Sequence, residues 1–121
     1  MATSAQLIET IAAGGYDKAF ARLYGQDDKR LEAQRQRYTA ALRQFEGTYG
    51  GNREVSLYST PGRTEIGGNH TNHNHGVVLA AAVDLDIIAV VSKNKDNFAR
   101  VQSKGFGAPD IVDLTYLEPV N

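Results

Sequence analysis

Three histidines, one arginine and three asparagines crowd into residues 60–76, which read TPGRTEIGGNHTNHNHG. His70, His73 and His75 stand three and two apart, and neutral imidazoles are common zinc ligands. Two features turn the chemistry away from metal. The run is rich in glycine and lacks the rigid i, i+4 spacing of a helical zinc motif, and no second cluster completes a tetrahedral set. Binding of a polyol suits the residue types better. A sugar hydroxyl both donates and accepts, and Asn and His offer donor and acceptor atoms on short side chains. Arg63 adds a fixed charge and a fork of donors, suited to an anionic group or a developing alkoxide. Chemistry alone leaves two possibilities open: a polyol site, or polar side chains that cap one another and the loop backbone.

Composition narrows what surrounds this stretch. A chain of 121 residues, 41% apolar and 22% charged, has the size and hydrophobicity of one modest folded domain. Its apolar runs are far shorter than the ~20 residues a membrane helix needs, so no membrane role is expected. The balance of 13 basic and 14 acidic residues gives no reason to expect nucleic acid. Lys29, Arg30, Arg35, Arg37 and Arg43 alternate with Glu32 and glutamines, the pattern of a solvated helix face. There are no cysteines, which removes disulfides, thiolate metal sites and cysteine nucleophiles. The first fifteen residues have neither a basic leader nor a long apolar core, so a cytoplasmic location is expected and the sequon at Asn69-His70-Thr71 is a chance match. The chain contains no GxxxxGK[ST] phosphate loop and no G-x-S-x-G elbow, and Gly105-Phe106-Gly107 lacks a third glycine.

The elements that must position residues 60–76 fall on either side. Upstream, Thr3 or Ser4 is expected to cap a short helix carrying Leu7, Ile8, Ile11 and Ala12, stopped at Gly14-Gly15. Asp17 is expected to cap a second, carrying Ala19, Phe20, Leu23 and Tyr24 and ending at Gly25. Asp27 or Asp28 opens a long amphipathic helix whose inner face is Leu31, Tyr38, Leu42, Phe45 and Tyr49, closed by Gly50-Gly51. Its aromatic stripe shares a face with leucines and reads as core rather than as a base-stacking platform. The period then changes to two over residues 54–59, a half-buried strand expected to end at Pro61-Gly62. Downstream, residues 77–83 form a small apolar run compatible with a buried helical turn or a close-packed strand. Residues 86–92 are a β-branched strand, expected to form a hairpin with residues 98–103 across a polar turn. Residues 111–114 suggest a last short strand. Helices followed by strands predict an α+β fold with a small, mainly antiparallel sheet.

The run Pro61-Gly62-Arg63-Thr64-Glu65-Ile66-Gly67-Gly68-Asn69-His70-Thr71-Asn72-His73-Asn74-His75-Gly76 resembles the N-terminal signature of galactokinases, roughly PGRxNxIGEHTDYNGG. That family belongs to the larger group of GHMP small-molecule kinases. The apolar run and β-branched strand that follow also resemble the family, as does the upstream order of a helix with Phe45 and Tyr49-Gly50 and then a strand. The resemblance implies a partial version of the GHMP kinase N-terminal domain. It also implies a sugar kinase that moves the γ-phosphate of ATP, with magnesium, onto the C1 hydroxyl of galactose. By the same resemblance Arg63 is the catalytic candidate, lying beside the reacting hydroxyl, while Asn69, His70 and Asn72 are the substrate-binding candidates. Three departures from the pattern matter most: Asn69 for Glu, Asn72 for Asp, and His73 for Tyr. An acidic acceptor gives a stronger hydrogen bond than a neutral amide, about 1.5 to 3 against about 0.5 to 1.5 kcal/mol, so these changes bear on sugar affinity and preference.

Galactokinases are much longer than this chain. The family's Gly/Ser-rich ATP loop and its catalytic aspartate lie downstream of the signature and are absent from these 121 residues. Residues 1–121 are therefore expected to form a single galactokinase-like, sugar-binding domain or fragment. Alone it is expected to lack kinase activity and to hold neither ATP nor magnesium fully. Two alternatives stand beside this: a non-catalytic sugar-sensing or regulatory module, and a degenerate structural domain. Sheet edges left without family neighbours predict self-association.

Overall fold

In the computed structural model residues 2–68 and 72–118 are described, Asn72 by its backbone alone. In chain order they form β1 (Ala2–Thr3), α1 (Ser4–Ala12), α2 (Asp17–Tyr24), α3 (Asp28–Tyr49), β2 (Glu54–Gly67), a 3-10 turn (Asn72–Asn74), β3 (Leu79–Val91), β4 (Phe98–Val101) and β5 (Asp110–Asp113). This is the α+β arrangement expected, with a two-residue strand added ahead of the helices.

The caps explain where each helix starts. Thr3 accepts from the Gln6 amide at 3.3 Å, and the Gln6 side chain accepts from the Thr3 amide at 3.0 Å, a reciprocal capping box. Asp27 caps α3 through the Lys29 amide at 2.8 Å. Asp17, expected to cap α2, instead lies inside its first turn, with Tyr16 at the cap position. Its carboxylate is gripped by the Arg35 fork, Nε donating to Oδ1 at 2.8 Å and Nη2 to Oδ2. A charge-assisted fork outcompetes a backbone amide for a carboxylate. The Asp17 amide is satisfied by the Gly14 carbonyl at 3.1 Å.

The core is the sum of the inner helix faces and one strand. Leu7 and Ile11 of α1, Phe20 of α2, Tyr38, Leu42 and Phe45 of α3, and Val55 of β2 form one buried cluster, against which Leu57, Ile88 and Val90 pack. The Phe20 and Tyr38 rings lie 4.9 Å apart, so the aromatic stripe of α3 is core, as its spacing predicts. Ser4, completely buried, donates to the Glu46 carboxylate and ties the start of α1 to α3.

β1, β2 and β3 form one antiparallel sheet in that order, while β4 and β5 pair separately. Two sequence expectations are corrected here, and one left open is resolved. The strand through residues 54–59 does not end at Pro61-Gly62 but continues to Gly67. A register irregularity follows Pro61, and proline, which has no amide to give, is tolerated in a strand at such points. Of the run at 77–83, Leu79 to Val83 take the strand alternative and lie in β3, continuous with residues 86–91. The hairpin expected between residues 86–92 and 98–103 does not form. Residues 86–91 pair with Ser56 to Pro61, which seats Ile88 and Val90 against the helical core, and Phe98–Val101 pairs with Asp110–Asp113. The intervening turn is organised for a separate strand: Asn94 donates to the Phe98 carbonyl at 2.6 Å and Asp96 accepts from the Phe98 amide at 3.1 Å.

Candidate functional site

The β2–β3 ladder is regular from Ser56 opposite Val91 to Pro61 opposite Asp86, and resumes with Arg63 opposite Ala82. Between these rungs β2 passes through Gly62 alone, while β3 passes through Val83, Asp84 and Leu85. β3 therefore bulges over Gly62. A Cβ at Gly62 would lie 3.1 Å from Val83 Cγ2 and 3.4 Å from the Leu85 carbonyl oxygen, so glycine is what lets the bulge close this tightly. Bulges increase local twist and re-aim the side chains that follow. The slip is two residues, an even number, so Arg63 stays in phase with Pro61 in the alternation of faces.

Arg63 is the first residue beyond the bulge and is exposed. Its cross-strand neighbour is Ala82, followed by Ala81 opposite Thr64 and Ala80 opposite Glu65. On the face that carries Arg63, the short side chains of Ala82 and Ala80 stand opposite Arg63 and Glu65. Among the described residues Arg63 has no ion-pair or side-chain hydrogen-bond partner, which leaves its donors available to a ligand.

The loop beyond has a constrained neck. Gly67 pairs with Leu79, and Gly68 follows with a φ of +87°. A Cβ there would press into the Val77 carbonyl oxygen and lie 2.8 Å from Val78 Cα. The handedness and the close approach both demand glycine at Gly68. The chain then makes the 3-10 turn at Asn72–Asn74, and His75 takes a φ of 60°. His73 and His75 are exposed. The structure thus puts Arg63 on the strand entering the loop and the Asn72 backbone in the turn at its far end. Asn69 and His70 lie outside the described residues, as does the Asn72 side chain. Among the described residues no three His, Asp or Glu side chains converge as a metal set.

The residue that sequence reasoning undervalued is Asp86. Its side chain is 11% exposed and accepts from three donors: Tyr24 Oη of α2 at 2.6 Å, Ser59 Oγ of β2 at 2.6 Å, and Arg37 Nη1 of α3 at 2.6 Å. Arg37 Nη2 also holds the Asp86 backbone carbonyl at 2.8 Å. Tyr24 has one proton and gives it to Asp86, so Tyr38, 2.8 Å away, donates to the Tyr24 oxygen. Burial pushes the Asp86 carboxyl up, but the hydrogen bonds from Ser59, Tyr24 and Arg37 and the Arg37 charge outweigh it and hold it below the usual carboxylate range. Burial, reinforced by the bond to Asp86, raises the Tyr24 phenol. One signal was available in the sequence: a carboxylate in phase with Ile88 and Val90, on the strand face that turns toward the core, must have partners.

A concavity of about 580 Å³ lies along α3 beside Glu32, Arg35, Gln36 and Arg43. It is not the loop, and its Arg35 is already committed to Asp17 and Glu32.

The antiparallel β2–β3 hairpin, bulged over Gly62 just before Arg63 and packed against the helices, leads into the loop. The galactokinase galactose-binding signature matches residues 43–93, which cover the end of α3, the bulge, the loop and β3. The galactokinase of Fusobacterium nucleatum is 36% identical over 61 residues, 50% of this chain and 16% of that protein. That of Lacticaseibacillus casei is 32% identical over 78 residues, 64% of this chain and 20% of that protein. The human galactokinase is 34% identical over 79 residues, 65% of this chain and 20% of that protein. No solved structure gives a significant match. Residues 43–93 are thus similar to the galactose-binding segment of galactokinases, and the matched region spans a fifth or less of the length of these relatives.

Proposed function

We propose that residues 1–121 form the galactose-binding part of a galactokinase-like, ATP-dependent sugar kinase and do not transfer phosphate alone. The observation that carries this is Arg63: an exposed guanidinium without a partner among the described residues, set just beyond a bulge inside the galactose-binding signature. In this role Arg63 stands beside the reacting hydroxyl and stabilises negative charge there as it develops. Asn69, His70 and Asn72 supply neutral donors and acceptors to the other hydroxyls. Phosphoryl transfer needs positioned phosphates, metal and nucleophile together.

Calorimetric titration of the 121-residue chain with galactose tests the proposal. Saturable binding that is lost in Arg63→Ala and tightened in Asn72→Asp supports a sugar half-site. Saturable binding unaffected by Arg63→Ala would remove the arginine from the site, and no heat even with Asn72→Asp would remove the sugar.

A further inference from the structure

We propose that Asp86 is a positioning residue for Arg63: with Tyr24, Arg37 and Ser59 it clamps the last regular rung before the bulge, and so fixes where the arginine points. This deepens the sugar-site proposal and rests on it for its functional meaning.

The placement carries the inference. Asp86 pairs with Pro61, two residues before Arg63, and the ladder breaks immediately beyond that rung. At that rung the two strands are held from three sides. Tyr24 comes from α2, Arg37 from α3 and Ser59 from β2 itself, two residues ahead of Pro61. Arg37 grips both the carboxylate and the backbone carbonyl of Asp86, so it fixes the strand as well as the side chain. Beyond the rung the grip weakens. In β2 every residue from Thr60 to Gly67 is exposed, and in β3 only Val83 is partly covered between Leu79 and Leu85. Asp84 meets Arg30 of α3 at 3.8 Å, with both side chains well exposed, and such pairs contribute little. The outer half of the hairpin, with Arg63 and the loop neck, is a lever whose base is the Asp86 clamp. A bulge needs its flanking rungs fixed if the residue beyond it is to keep one direction. Stability alone would be served by an apolar residue at position 86, continuing Ile88 and Val90. The polar cluster instead supplies directional bonds that specify one geometry.

The test uses three variants of the full 121-residue chain: Asp86→Asn, the milder Tyr24→Phe, and Leu42→Ala as a control that loosens the core elsewhere. Amide and Arg63 Nε–Hε signals are followed by NMR, with hydrogen exchange at Gly62, Arg63 and Thr64. Loss of one charge-assisted bond is expected to speed exchange at these three positions roughly tenfold or more, and to shift the Arg63 side-chain signal. Leu42→Ala should leave that local pattern unchanged. Galactose affinity should fall in Tyr24→Phe, and should fall no further when Arg63→Ala is added. Signals at 62–64 that stay put in Tyr24→Phe and Asp86→Asn, or that move equally in Leu42→Ala, overturn the proposal. If the unaltered chain binds no galactose, the sugar-site proposal fails, and the exchange and side-chain signals still decide the positioning role.

Discussion

Asp86 stands across the ladder from Pro61, on the last regular rung before the bulge that precedes Arg63. That rung is where the helical layer takes hold of the hairpin that leads into the loop. Inside it, side chains of β2 and β3 alternate between core and solvent. Outside it, the strands are almost wholly exposed.

The clamp predicts the acid behaviour of the fold. The folded Asp86 carboxyl lies below its unfolded value of about 3.9. Its stabilisation is therefore complete above that value and is lost as pH falls through the folded one. Tyr24 works in the opposite sense: its raised phenol contributes fully below about pH 10 and less as pH rises further. Asp86→Asn should cost about 2 to 3 kcal/mol at pH 7 and flatten the drop in melting temperature as pH falls below about 4. Thermal melts followed by circular dichroism check this, and parallel pH profiles for the two proteins would contradict it.

Gly68 should not tolerate a side chain. Its φ of +87° and its closeness to Val77 and Val78 mean that Gly68→Ala must displace the loop neck. The expected result is large shifts for residues 67–79 in NMR spectra, with helix amides unchanged. A spectrum like that of the original chain would show the neck to be adaptable.

Much of this could be read from residue order, and the failures have identifiable causes. The helical stripe at Tyr38, Leu42 and Phe45 is strongly periodic, and the caps at Thr3 and Asp27 use local hydrogen bonds, so both were legible. Asp17 was misplaced because its partner, Arg35, is eighteen residues away and periodicity cannot see it. Strand pairing was misread for the same reason. The nearest strand in sequence to residues 86–91 is Phe98–Val101, but the partner that lets Ile88 and Val90 reach the core is β2. Arg63 was legible as a candidate because Pro-Gly-Arg ahead of a polar run is a local feature of the sequence. Its bulge was not, since a bulge is a property of two strands. Asp86 was visible as a carboxylate on an inward face, but its three partners come from three different elements.

Leu42 tests the helical core separately from the site. It is completely buried between α3 and its neighbours, so Leu42→Ala should cost about 2 to 5 kcal/mol in denaturant unfolding. A loss below ~1 kcal/mol would show that the core repacks around the missing methyls.

The outer face and edge of the sheet predict self-association. β3 lies at the edge of its sheet among the described residues, and Tyr58, Leu85, Ile87 and Val91 are exposed. An open edge beside an apolar face favours pairing with a second copy. Light scattering should report a dimer or larger species, and Ile87→Lys should shift it toward monomer. A monomer at high concentration would contradict this.

The central claim, that the loop beyond Arg63 is a sugar half-site, is tested most directly by amide NMR of the 121-residue chain titrated with galactose and, separately, with glucose. Saturable shifts confined to residues 62–78 are expected with galactose, and none with glucose. Equal responses to both sugars, or none to either at tens of millimolar, would contradict it.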